Sequence, residues 1–197
     1  MALTLKINMI EIARSINSDK RFLSAFIPYL NQPAVKEEFG QRYIDEILAR
    51  LDRGIGKDGK LKSYSSAYKK SEAFGAYGKS NTVNLKLTGS MRASLDVVET
   101  NSTGVTLGFT NKTDEDKAIG HVNGRGNLPV RDFFGLPRKE EEQIMKDVVR
   151  EFKDNNLDTL QFAEPINLVG LSVSQTVDIA EASLGVGLID FFNEDFE

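Results

Sequence analysis

The chain has 197 residues, 40% hydrophobic and 27% charged, with a formal net charge of −4. That is the make-up of one globular domain, or a domain with an extension, and it excludes wholesale disorder. With no cysteine and one histidine, disulfides, thiolate zinc sites, cysteine nucleophiles and multi-histidine metal sites are excluded; no apolar run approaches the roughly 20 residues of a membrane helix.

The charge is unevenly spread. Residues 151–197 hold ten acids and one base, Lys153, so the first 150 residues carry a positive balance. Such asymmetry suits an interaction surface or a solvated acidic end. The N-terminus, MALTLKINMIEIARS, lacks the basic start and long apolar centre of a secretory signal.

Leu3, Leu5 and Ile7 alternate with polar residues and predict a short strand. The next stretch, 10–16, reads equally as a helix. Ser18 is a candidate N-cap for a short helix through Phe22, Leu23 and Phe26, limited by Pro28. The clearest helix opens near Pro33. Val35, Phe39, Tyr43, Ile47 or Leu48, and Leu51 form one stripe at spacings of three to four, and Gly54 and Gly56 end it. Residues 52–80 are rich in glycine, serine and lysine. They predict a long polar loop with one helical turn at 65–70. Its lysines, interleaved with Tyr64, Tyr68, Phe74 and Tyr77, are the pattern that holds a nucleic-acid backbone and stacks on bases.

Val83, Leu85 and Leu87 alternate as a strand, and Ser90 is placed to cap the turn MRASL. Val97 and Glu99, the turn 101–104, then Val105, Leu107 and Phe109 predict an antiparallel hairpin. A helical turn at 117–121 leads into the glycine-rich loop VNGRGNLP. Pro137 opens a last helix, with Ile144, Met145, Val148 and Phe152 on its apolar side and Glu140, Glu141 and Glu142 in its first turn, read as a solvated helix start. Beyond Asn156 the chain is apolar and glycine-punctuated, with Val169, Leu171 and Val173 in alternation. It suits a strand added to this subunit or to another.

No catalytic set emerges. The neighbours of His121 offer no nucleophile, base and orienting group, so its reading is structural, and an enzyme working through it ranks last. Gly124-Arg125-Gly126 lacks the strand–GxGxxG–helix setting of a phosphate loop and reads as a pointed turn. Arg131, beside Phe133 and Phe134, reads as an internal anchor for a carboxylate or as a contact to a neighbouring chain.

Five features in order resemble the phage virion morphogenesis, or tail completion, family of tailed bacteriophages. They are the helix at 35–51; the loop with Asp58-Gly59, serines 63, 65 and 66, Tyr68, Lys69 and Lys70; LKLTGSMRASL, with Thr88 and Gly89; AIGHVNG, with His121; and LPVRDFFGL, with Pro129, Arg131 and Phe133. The resemblance covers residues 35–153. It implies an α+β fold: a small antiparallel β-sheet packed by the 35–51 helix and a second helix near 138–153, with an extended C-terminal arm. The division is an N-terminal extension (1–34), a tail-completion-like core (35–156) and an acidic, apolar extension (157–197). It further implies a structural virion protein of the neck, assembled in the host cytoplasm as a cyclic homo-oligomer, by family analogy a hexamer. That ring completes the tail or joins it to the head connector, with a tail terminator or head-side adaptor ring as the alternative. Its partners are portal or connector, adaptor or tail tube proteins, and genomic DNA in the lumen, with no cofactor and no metal. Lys69, Lys70, Gly124, Arg125, Gly126 and Arg131 are then the expected contact residues. A nucleic-acid-binding module using the loop 57–80 is the rival reading.

Overall fold

The computed structural model describes residues 2–86, 88–126 and 128–156. Its elements are, in order, β1 (Leu5–Asn8), α1 (Met9–Ile16), α2 (Lys20–Leu30), α3 (Pro33–Asp52), β2 (Ile55–Gly56), β3 (Gly59–Lys60), α4 (Ser66–Lys69), α5 (Glu72–Ala76), α6 (Ser90–Ala93), β4 (Leu95–Thr100), β5 (Gly104–Phe109), α7 (Lys112–Asn123) and α8 (Arg138–Asn155). The architecture is α+β: a three-stranded antiparallel sheet of order β1-β5-β4, a separate two-stranded β2-β3 hairpin, and helices packed against them.

The register puts Leu5 and Val97 on either side of Leu107, and Ile7 opposite Val105. Strand residues alternate between faces, so these side chains share one apolar face. Helix α3 lies on it. Gly40 permits the approach, because a Cβ there would stand 2.4 Å from Val97 Cγ2. The α3 stripe is the expected one: Val35, Phe39, Tyr43, Ile47 and Leu51 are buried, joined by Ile44. On α8, Ile144, Met145, Val148 and Phe152 are buried as the spacing required. Phe152 is ringed by Phe22, Phe26 and Tyr29 of α2 at centroid distances of 6.0, 5.2 and 5.1 Å. Each such side chain withdrawn from water contributes about 1.5–3 kcal/mol.

Residues 2–34, expected as an extension, belong to the same compact unit, Met1–Asn155. Ile7, Met9, Ile12, Phe26 and Leu30 are core residues. The cap of α2 is Asp19, not Ser18; its side chain accepts from the amides of Arg21 and Phe22. Pro28 does not limit the helix. It stands in the last turn, where it forfeits a single interior bond, and buried Phe26 and Leu30 hold that turn in place.

Three further expectations change. Residues 83–86 are not a strand: Val83 and Leu85 are buried, but Leu85 takes a left-handed φ of 52°, which ends the pleat. Leu87 lies outside the described residues. Ser90 does not cap α6. The N-cap is Gly89, at φ 90°, and the Ser90 hydroxyl donates instead to Asp114 Oδ2 at 2.5 Å. The helix expected at 117–121 is longer because Asn111 caps it, accepting from the Asp114 amide.

The 52–80 stretch also has more structure than one turn, holding the β2-β3 hairpin, α4 and α5. Gly56 lets the hairpin meet residue 132: a Cβ would fall 2.3 Å from the Asp132 carbonyl oxygen, and Lys57 N–H donates to that oxygen at 2.8 Å. No described helix is long and apolar enough to cross a membrane. The strand expected beyond Asn156 and the C-terminal arm lie outside the described residues.

Candidate functional site

Gly124 ends α7 in the left-handed region, at φ 69°, with its N–H on the Gly120 carbonyl. A side chain would be strained there, and a Cβ would also press Val130 Cγ2 at 2.8 Å. The chain therefore folds back, and the amide of Arg131 donates to the His121 carbonyl at 2.8 Å. Arg131 is 3% exposed. Its Nε donates to the Lys62 carbonyl at 2.9 Å, its Nη2 to the Ser63 carbonyl at 3.1 Å, and its guanidinium lies 5.4 Å from the Tyr64 ring centre. The expected anchor is present, but its partners are two carbonyls and a ring rather than a carboxylate. The planar fork suits two neighbouring carbonyls, and the ring face suits its charge. Burial pulls the Arg131 pKa below its ordinary value, and Tyr64 opposes this. Arg131 thus clamps three segments: the end of α7, residues 62–64, and its own extended stretch.

His121 sits beside this clamp. Its Nδ1 is buried without a hydrogen-bond partner. Burial first, and then the charge of Arg131, hold its pKa below the ordinary value of 6.5, so the ring is neutral at pH 7. Phe133, 3% exposed, and Phe134 enter the core, with Phe134 packed on Phe109 at 5.5 Å. Pro129 is half-buried, and Thr88 turns its hydroxyl to accept from the Ser90 amide at 3.3 Å.

Of the expected contact residues, Lys69, Lys70, Arg125 and Gly126 are exposed, whereas Gly124 is half-buried and Arg131 is buried. Gly124 and Arg131 meet through the fold-back, while Lys69 and Lys70 stand apart on α4 and its cap. The aromatic residues between the lysines turn inward. Tyr64, Tyr68 and Phe74 pack on one another at 5.3, 5.7 and 5.5 Å, leaving Tyr77, 53% exposed, as the ring open to solvent. The stacking platform expected of residues 64–77 is therefore closed on itself. Among the described residues, two shallow clefts stand out. One, of about 230 Å³, runs between the hairpin and residues 130–132 and is lined by Asp58, Lys60, Lys62, Arg131 and Asp132. The other, of about 360 Å³, lies by Asn8, Glu11, Arg14 and Thr103.

Two groups escaped the sequence reading. The first contradicts a merely solvated start for α8. Glu141 accepts from the Tyr43 hydroxyl at 2.8 Å, Glu140 pairs with buried Arg50, and Arg50 also donates to the Gly56 carbonyl. The Tyr43 oxygen in turn accepts from the Leu136 amide at 3.1 Å. Burial, then the charge of Glu141, raises the Tyr43 pKa, which keeps the phenol a donor. The second is cationic. Arg92 pairs with Asp52 at 2.5 Å and reaches the Leu48 carbonyl at 3.2 Å, and burial first, then the charges of Lys86 and Arg92, lower the Lys79 pKa. The only signal for it was the count of lysines after residue 56.

No family model, curated protein or solved structure matches this chain.

Proposed function

We propose that this chain is a structural protein of a tailed-phage neck, acting as one subunit of a closed ring that completes the tail or joins it to the head connector. The observation that carries the reading is where the resembling motifs fall. Thr88-Gly89 forms the left-handed turn into α6, AIGHVNG ends α7 at a left-handed glycine, and LPVRDFFGL supplies the Arg131 clamp and two core phenylalanines. The motifs thus shape a body, as a packing subunit requires, and the Arg131 guanidinium is spent on backbone carbonyls. Among the described residues both outer strands of the β1-β5-β4 sheet have a free edge, and Val98, Leu128 and Val130 are 44–49% exposed. Free edges and exposed apolar side chains are the features by which subunits join.

The test is the mass of the purified full chain by size exclusion with light scattering, alone and with connector or tail tube proteins. A discrete cyclic oligomer, a hexamer on the family analogy, supports the reading; a monomer under all these conditions overturns it. Locating the chain in a map of the intact particle would then separate a completion ring from a terminator or head-side adaptor.

A further inference from the structure

Residues 57–86 contain seven lysines and two acids, Asp58 and Glu72. None of those lysines forms an ion pair among the described residues, whereas Lys112 and Lys117 each pair with neighbouring carboxylates. The charge is most concentrated around Arg92. Its side chain is 12% exposed and is held in place by Asp52 and the Leu48 carbonyl. The Lys86 side chain passes over Gly89, its Cε 3.9 Å from where a Cβ would stand, which is ordinary contact distance and places it beside the start of α6, the helix that carries Arg92. Lys79 is half-buried, within electrostatic range of Lys86 and Arg92. Asp52 feels the charges of both Arg92 and Lys86 but pairs directly with Arg92, which leaves the Lys86 charge unmatched by an ion pair among the described residues.

We propose that Lys79, Lys86 and Arg92 form a phosphate-binding cluster that holds the backbone of double-stranded DNA without reading its sequence. The duplex is favoured over a single strand because Tyr64, Tyr68 and Phe74 face one another and leave no row of open rings for bases. Lysines act on phosphates as point charges, so binding carried by them is electrostatic and depends on salt. Burial first, and then the neighbouring charges of Lys86 and Arg92, lower the Lys79 pKa, and a bound phosphate would offset that repulsion. Lys69 and Lys70 lie outside the cluster and extend the positive surface. The inference does not depend on the neck reading, since it concerns a single subunit's surface.

The test uses the full chain and 30-base-pair duplexes of two unrelated sequences, with affinity followed by fluorescence anisotropy from 50 to 200 mM salt. Equal affinity for both duplexes is expected. Each phosphate contact contributes about 0.9 to the slope of log K against log salt, so Lys79→Gln with Lys86→Gln should lower the slope by about 1.8. It should also weaken binding at 50 mM salt by roughly tenfold or more, with an unchanged circular dichroism spectrum and melting temperature. No binding at 50 mM salt overturns the proposal, as does binding that the double variant leaves intact. If the variant instead loses self-association while the wild-type chain ignores DNA, the cluster is a protein contact and the proposal fails. Light scattering on the same samples reads the ring independently, so failure of the two readings can be told apart.

Discussion

His121 and Asp114 are two residues on one helix with opposite relations to acid. His121 is neutral when folded, its pKa pushed below 6.5 by burial and by Arg131. The unfolded chain therefore takes up a proton more readily, and stability must fall as pH drops below 6.5, until the folded value is passed. Wild-type protein should show a lower urea midpoint at pH 5 than at pH 8, and His121→Asn should flatten that interval. A variant with the same slope as wild type would refute the assignment. Asp114 is held at about 2 by Lys117, Ser90 and Asn111. It favours folding above its ordinary 3.8 and loses that effect as pH falls toward about 2. Asp114→Asn should remove this second, more acidic step from the unfolding curve.

Among elements, α3 and α8 illustrate what sequence can and cannot reveal. Their apolar stripes were legible because a 3.6-residue period needs only the order of residues. The hairpin β4-β5 was legible for the same reason, having alternation on both sides of a turn. The polar ties between the two helices were not, because Arg50 and Glu140 stand 90 residues apart and nothing local marks them as partners. The strand expected at 83–87 failed at Leu85, whose left-handed backbone no alternation of residue types can disclose. Arg131 was legible as an anchor from its phenylalanine neighbours, but its carbonyl partners belong to a segment 68–69 residues earlier. The helix ties can be weighed. Arg50 is 7% exposed and its partner Glu140 side chain 33%, so Arg50→Met leaves a partly solvated carboxylate and removes a donor from the Gly56 carbonyl. A fully buried pair broken this way costs about 3–5 kcal/mol; the solvation of Glu140 brings the expected loss to about 2 kcal/mol in urea unfolding. Tyr43→Phe strands the Leu136 amide and should cost about 1–3 kcal/mol.

For the molecule as a whole, the charge divides sharply along the chain, and the core of the described residues lies on the basic side of that division. Every core residue assigned among the described positions lies between Ile7 and Phe152, and Met1–Asn155 forms one compact unit. The apolar contacts among the described residues are thus all made before residue 157, and a single hydrophobic unit of this size unfolds cooperatively. Residues 157–197 contain eight acids and no base, against a net charge of −4 for the whole chain. A chain ending at Asn156 should thus fold and melt in one transition, within about 5 °C of the full chain, yet reverse its charge. At pH 7 it should bind a cation exchanger that the full chain passes through. Because net charge steers polyanions over distances of about a Debye length, roughly 10 Å at 0.1 M salt, the shortened chain should also bind the same duplex more tightly at low salt, with the difference fading as salt rises. A truncated chain without a cooperative transition would show that the core described here is not self-sufficient. One that melts normally but gains nothing toward DNA would show that the acidic residues do not compete with phosphate for the lysines.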